Sequence, residues 1–414
     1  MTLCLFWNAH GVKEESEGYP TSLQTWVAGH GQQLDEAQQM LLDAVEAALS
    51  TKIVKTDLLA ENGNLMVKVE YGDGRQDAVR SPFLYDDDGK PYTHLLERFL
   101  REVNLLRWLK SHTSLPVPEV RNIIEGPHPG KYPYAVIEML PGTMLMNAFG
   151  RLPYSAKERT IHTFADFSVK LFRLQVPQRI GTLCCLEDGD PEVIPWQEFD
   201  HDYRALQVYD TLEDFVDFLI QRKLQSDCIG SDEDSHGRGE RVLARLASEL
   251  SPIIKQLSSP SYRRCVLTHD DLHATNILVS SDTGELTGVI DWEHQSVLPA
   301  VLSVTYPSFL RCETSGRAVV PDEGGMNTMW SVSPEDAAEL RKLFANIVES
   351  TDREYYEALV NGETLREAFE WLGTLHSDEG CVTLEKWMDL TFVHHMPAWS
   401  DFWNVTMLHA TATS

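Results

Sequence analysis

The sequence predicts a two-lobed α/β fold of the α+β kind, with a small N-terminal sheet lobe and a larger, mostly helical C-terminal lobe. Three observations predict it. At 414 residues the chain is too long for one simple core. Strand-like alternation is concentrated before residue 140, and helical periodicity dominates after it. A chain break, Pro141-Gly142, falls where one pattern gives way to the other. The expected divisions are an N-terminal helical extension over 1–50, a small lobe over 51–140 and a large lobe over 141–414.

Residues 34–50 carry Leu34, Ala37, Leu41, Val45 and Leu49 on one helical stripe. Leu65 to Val69, the turn Gly72-Asp73-Gly74, and Asp77 to Arg80 read as a hairpin with a glycine turn. A helix is expected over about 94–110, with Leu96, Leu100, Val103 and Leu106 facing one way. Tyr134 to Leu140 reads as a buried strand. In the large lobe, helices are expected at 156–175 and 211–225, and Gln225 to Arg241 reads as a solvated loop or disordered insertion on its Ser, Asp and Gly content. A second insertion covers Arg311 to Val332. Ser333-Pro334-Glu335-Asp336 then opens a helix, with a Ser cap, Pro in the first turn and acids at the positive end.

The segment that carries chemistry is Val266 to Val279, followed by Val289-Ile290-Asp291-Trp292-Glu293. Strand-like runs deliver Asp271 and Asn276, five residues apart, and then Asp291 at the end of a further strand. Phosphoryl transfer needs a carboxylate to orient and deprotonate the attacking hydroxyl, and oxygen ligands for the Mg²⁺ that bridges nucleotide phosphates. Mg²⁺ usually takes only one or two protein carboxylates, completing its octahedron with water and phosphate. Asp271 suits the base, and Asn276 with Asp291 suits the metal pair. Asp and Asn are also ordinary turn residues. The combination with His269, His273 and Ile290-Asp291-Trp292-Glu293 is what makes the pattern specific.

This segment resembles the aminoglycoside phosphotransferase and choline kinase group, whose pattern reads H-G-D-L-H-x-x-N, an apolar strand, then I-D-[WF]-E. His269, Asp271, Leu272, His273, Asn276, Asp291, Trp292 and Glu293 match it, while Asp270 stands in place of the usual Gly, and Ala274-Thr275 in place of Pro-Gly. The resemblance implies a protein-kinase-like fold, Asp271 as catalytic base, and Asn276 and Asp291 as Mg²⁺ ligands. It also implies that His269 braces the loop through backbone hydrogen bonds. The order of hairpin, helix, strand and break matches the family's small lobe. That places the hinge between lobes at Glu138 to Gly142, where backbone groups at Glu138 and Met139 would take the adenine edge. Glu61-Asn62-Gly63-Asn64 would be the loop over the phosphates, although a plain hairpin turn accounts for it equally. The family's phosphate-gripping lysine is replaced by Arg80, with Glu102 as its partner and Lys68 as the alternative ligand. Arginine keeps the charge and can bind phosphate bidentately, but its fork needs different room.

A formal charge of −28 argues against nucleic-acid partners and against anionic membrane surfaces. It suits a cationic acceptor, and equally a plain soluble surface. Seven scattered cysteines without a C-x-x-C pair argue against a metal cluster or a disulfide framework and for a reducing, cytoplasmic setting. No signal peptide and no membrane-spanning apolar run is evident. The aromatic-rich C-terminal segment (Tyr355, Tyr356, Phe369, Trp371, Trp387, Phe392, Trp399, Phe402, Trp403) would either pack helices together or cage an amine by cation–π contact. The expected activity is transfer of phosphate from ATP, with Mg²⁺, to a hydroxyl of a small molecule. The rival reading is a non-catalytic nucleotide-binding protein, prompted by the substituted lysine and the glycine-poor loop. The identity of the acceptor and the oligomeric state are not readable from the residues.

Overall fold

The computed structural model describes residues 4–7, 13–16, 36–61, 64–82, 93–124, 133–186, 189–197, 205, 207–225, 233–310, 332–375 and 378–393. After a short antiparallel pair, β1 (Cys4–Trp7) and β2 (Lys13–Ser16), helix α1 (Glu36–Leu49) leads into the small lobe. There β3 (Ile53–Glu61), β4 (Asn64–Tyr71), β5 (Gln76–Pro82), β6 (Val120–Ile124) and β7 (Tyr134–Glu138) form one antiparallel sheet in the order β3-β4-β5-β7-β6. The expected hairpin is the β4–β5 pair, with Val67 opposite Val79 and Met66 opposite Arg80. Alternation along these strands sends Val67, Val69 and Val79 to one face, where they pack with Leu41, Leu42 and Val45 of α1. Helix α2 (Thr93–His112) covers the other face through Phe99 and Val103, which meet Ala135 and Ile137 of β7.

Beyond β7 the chain makes its break against the large lobe. Gly142 adopts φ 114°, and a Cβ there would lie 2.4 Å from Thr287 Oγ1 and 2.7 Å from the Val279 carbonyl. Only glycine accepts both that dihedral and that approach. Thr287 Oγ1 donates to the Pro141 carbonyl at 2.6 Å, tying the break to the strands that carry the site.

The large lobe holds β8 (Thr143–Met144), α3 (Tyr154–Arg173), β9 (Thr182–Cys184), β10 (Glu192–Ile194), α4 (Leu212–Gln225) and α5 (Glu233–Gln256). Then come β11 (Cys265–His269), β12 (Ile277–Val279), β13 (Leu286–Val289) and β14 (Gln295–Pro299), and last α6 (Pro334–Thr351), α7 (Arg353–Asn361), α8 (Glu363–Thr374) and α9 (Asp378–Met388). Its strands are short: β12 pairs with β13 and β8, and β11 with β14. The helices pack around them in one core containing Phe164, Leu246, Trp292 and Phe344.

One expectation about the large lobe needs correcting. Residues 233–241, expected to be loop, form the first turns of α5. Their Ser, Gly and charge content disfavours helix locally, but the stripe Val242, Leu243, Leu246, Leu250 and Ile254 buries downstream and carries the helix back through them. Strand β14, paired antiparallel with β11, follows the Asp291-Trp292-Glu293 turn without a strand signal of its own in the sequence. The cap at Ser333 is present, its Oγ accepting from Asp336 N at 3.1 Å. Residues 62–63, 311–331 and the aromatics Trp399, Phe402 and Trp403 lie outside the described residues. No helix among the described residues is long and apolar enough to cross a membrane.

Candidate active site

Two strand connections place the key side chains. The β11–β12 loop carries Asp271 and, just before β12, Asn276; β13 ends just before Asp291. Because β12 and β13 are antiparallel, with Ile277 opposite Val289, the start of one lies beside the end of the other. The Ile290 N–H donates to the Asn276 carbonyl at 2.9 Å, which locks the two termini together. Asn276 is buried, and its Nδ2 donates both to the Asp271 carbonyl and to Asp271 Oδ2, each at 2.9 Å. Its amide oxygen accepts from no described residue. Asp291 takes the left-handed backbone, φ 66°, a conformation that costs a non-glycine residue energy and is retained mostly where function needs it. Burial, and after it the carboxylates of Glu293 and Asp271, push the Asp291 carboxyl up, with Arg80 pulling against them.

His269 is buried beneath this loop and holds it from both ring nitrogens. Its Nε2 lies 3.0 Å from the Ile290 carbonyl, and its Nδ1 accepts from the Asp271 N–H at 3.2 Å. One bond requires a protonated nitrogen and the other a bare one, so the neutral ring fits and the imidazolium does not. Burial lowers its pKa from 6.5 to about 4, against the opposing backbone bond to Ile290. In an NMR titration the His269 ring is expected to remain neutral down to about pH 4. Titration near the free-imidazole value would contradict its role as a buried brace. The other loop histidine, His273, is exposed and places Nε2 3.2 Å from Asp271 Oδ1.

Arg80 comes from the small lobe and is buried. Its Nη1 lies 2.5 Å from Glu102 of α2 and 3.7 Å from Asp291, and its Nη2 is 2.6 Å from Glu293. Glu102 also accepts from the Trp292 N–H at 3.1 Å, so sheet, helix and Asp291-Trp292-Glu293 meet at one guanidinium. Burial raises the Glu102 carboxyl to about 8, Arg80 opposing and the negative charges of Asp291 and Glu293 adding to the rise. Glu293 goes the other way: burial would raise it, but the His294 hydrogen bond and Arg80 bring it down to about 2. For Arg80, burial works against the charge and the surrounding carboxylates outweigh it. The guanidinium therefore stays charged. In the sequence Glu293 stands out only as a motif match; its grip on Arg80 comes from the small lobe packing against it.

The remaining expected ligands lie on β4, at the end of β7 and at the crossing between lobes. Glu138 ends β7 with its carboxylate receiving the Glu119 N–H at 3.1 Å and Lys110 Nζ at 3.2 Å. Its own N–H donates to the Glu119 carbonyl at 2.8 Å, so that donor is already committed. Met139 follows, 37% exposed, at the crossing between lobes. Asn64 begins β4 opposite Pro82, while the loop residues beside it lie outside the description. Lys68 sits on the same strand as Asn64, opposite Ala78.

No group of three or more His, Cys, Asp or Glu side chains among the described residues forms a metal site by itself. A hard cation such as Mg²⁺ takes oxygen ligands and usually only one or two protein carboxylates. The open amide oxygen of Asn276 and the carboxylate of Asp291 are oxygen donors of the right type. Below the loop lies a cavity of about 520 Å³, walled on one side by Thr268, Asp270, Leu272 and His273.

Over 385 residues the chain is 36% identical to "Clavilactone A biosynthesis cluster protein Y" of Ampulloclitocybe clavipes, covering 92% of this chain and 94% of that protein. Among solved structures, a thermostable mutant of aminoglycoside phosphotransferase APH(4)-Ia, in ternary complex with ADP and hygromycin B, matches with TM-score 0.47 and 14% identity, over 83% of this chain and 96% of that one. The streptomycin–ATP complex of APH(2")-IIa matches with TM-score 0.46 and 13% identity, over 86% and 97%. Residues 58–301, which run from the small-lobe sheet through Arg80, Asp271, Asn276 and Asp291, match the model of the phosphotransferase enzyme family, and the chain belongs to that family.

Proposed function

We propose that this protein transfers the terminal phosphate of ATP, in the presence of Mg²⁺, to a hydroxyl group of a small molecule. The observation that carries this reading is the meeting of Asp271, Asn276 and Asp291 at the end of the β12–β13 pair, next to a cavity large enough for a small-molecule acceptor. In the proposed reaction Asp271 Oδ1 takes the proton of the acceptor hydroxyl. The acceptor oxygen forms a bond to the γ-phosphorus, the bond from that phosphorus to the β-bridging oxygen breaks, and ADP leaves with the electron pair. Asn276 holds the Asp271 carboxylate in position and, with Asp291, would hold Mg²⁺, which when bound neutralises charge on the nucleotide phosphates. Arg80, fixed by Glu102 and Glu293, brings a permanent positive charge to the face where phosphates would lie. His269 keeps the loop in register and moves no proton.

The test is ADP release measured with ATP and a panel of hydroxylated small molecules, with and without Mg²⁺. Acceptor-dependent, Mg²⁺-dependent ADP release supports the proposal. A thermal-shift titration showing no stabilisation by ATP at any Mg²⁺ concentration contradicts it, since a ligand of the native state must raise stability.

A further inference from the structure

The cavity beneath the β11–β12 loop differs in chemistry from the rest of this acidic chain. Aromatic rings from several elements line it, among them Phe164 of α3, Trp196, Phe215 of α4, Tyr306 and Phe369 of α8. Its charged lining residues are not predominantly acidic: Asp270 and Glu370 stand among Arg222, Lys223 and Arg366, although the whole chain carries −28. Lys223 is buried and directs its ammonium to the carbonyls of Gly373 and Leu375 at 3.5 and 3.4 Å. Arg366 donates to the carbonyls of Val301 and Ala358 at 2.9 and 3.1 Å, and to that of Leu359. A polycation entering here would shed water without gaining a surplus of negative partners, which is costly. An uncharged apolar molecule would displace water from aromatic surface at no such cost.

One polar fixture stands in this wall. Asp270 occupies the loop position next to Asp271 and lines the cavity. A short relay orients it: Trp196 Nε1 donates to Ser296 Oγ at 3.0 Å, and Ser296 Oγ donates to Asp270 Oδ2 at 2.5 Å. The second oxygen, Oδ1, accepts from no described residue. It lies one residue from the carboxylate that would take the reacting proton.

We propose that the acceptor is an uncharged, largely aromatic or apolar alcohol or phenol seated in this cavity, and that Asp270 selects it by accepting a hydrogen bond from a second hydroxyl. The inference rests on the phosphotransferase reading for the fate of the first hydroxyl, but the seating itself is measured without turnover. It excludes an aminoglycoside or a quaternary amine as the preferred acceptor.

The experiment is calorimetric titration of the full chain with 2,7-dihydroxynaphthalene, 2-naphthol, kanamycin and choline. The expected result is saturable binding of both naphthols, with the diol about tenfold tighter, as one hydrogen bond to a carboxylate allows. Kanamycin and choline should bind at least tenfold more weakly than the diol. Thr305→Trp, at an exposed position of the cavity wall, should weaken the diol at least tenfold while the fold is kept, and Leu219→Phe, deeper in the wall, should do the same. Asp270→Ala should remove the diol's advantage over 2-naphthol and leave 2-naphthol binding within twofold. Tighter binding of kanamycin or choline, diol binding indifferent to both wall substitutions, or a diol preference that survives Asp270→Ala would each overturn the proposal. Failure of the underlying reading looks different: the diol binds as described but releases no ADP from ATP. If kanamycin is phosphorylated in an Asp271-dependent way, the phosphotransferase reading stands and this inference falls.

Discussion

Arg80→Met is expected to lower the stability of the protein by about 3–5 kcal/mol at neutral pH, because it strands several buried or half-buried carboxylates without their common partner. Glu102 lies 2.5 Å and Glu293 2.6 Å from the guanidinium, and Arg80 is only 4% exposed, so water cannot take its place cheaply. The sign of the pH effect follows from the same charges. Without Arg80 the carboxyls must hold protons to stay buried, so the deficit should be largest above neutrality and shrink as pH falls and they protonate. Arg80→Lys should recover part of the loss. A single ammonium supplies the charge but cannot address Glu102 and Glu293 from two separate nitrogens, as the fork does. Urea unfolding of the three proteins between pH 5 and 8 is the measurement. A loss below about 1 kcal/mol for Arg80→Met would mean that the cluster is solvated and does not join the lobes.

Asp271→Asn is expected to lower turnover by about a thousandfold, within the range that a positioned general base contributes, while leaving stability and ATP affinity nearly unchanged. The reasoning is geometric. An asparagine there can still accept from Asn276 Nδ2 through its amide oxygen, so the loop keeps its bond, but the acceptor's proton loses its carboxylate. Full turnover by Asp271→Asn would remove Asp271 from the reaction. A matching collapse of stability would show that its part is structural. His273, 3.2 Å away on the exposed side, is the alternative proton carrier that this substitution leaves intact.

The parts of the site that were legible in the sequence are those whose residues lie close together in the chain or follow a strand rhythm. Asp271 and Asn276 share one loop, and the apolar runs at 277–279 and 286–289 had to pair for Asp291 to join them. Arg80 and Glu102 were picked out by the resemblance, as the counterparts of the family's third-strand lysine and its helix partner, and they lie on β5 and on the helix that packs on the sheet. What was not legible depended on long-range packing. The aromatic residues Phe164, Phe215 and Phe369 show the same helical spacing whether they fill a core or wall a cavity, and only the assembled lobe separates the two. The start of α5 was misjudged because local composition spoke for a loop while the buried stripe after it spoke for a helix. The bonds that Glu138 makes to Glu119 and Lys110 depend on the segment before β6 lying alongside β7, which no local pattern shows.

Diffraction from crystals soaked with Mn²⁺ and a non-hydrolysable ATP analogue tests the central claim most directly, because Mn²⁺ reports its own position by anomalous scattering. The expected result is a peak at bonding distance from the Asn276 amide oxygen and the Asp291 carboxylate, shared with the nucleotide phosphates, with the terminal phosphate facing Asp271. A metal bound elsewhere, or a nucleotide whose terminal phosphate points away from Asp271, would contradict it.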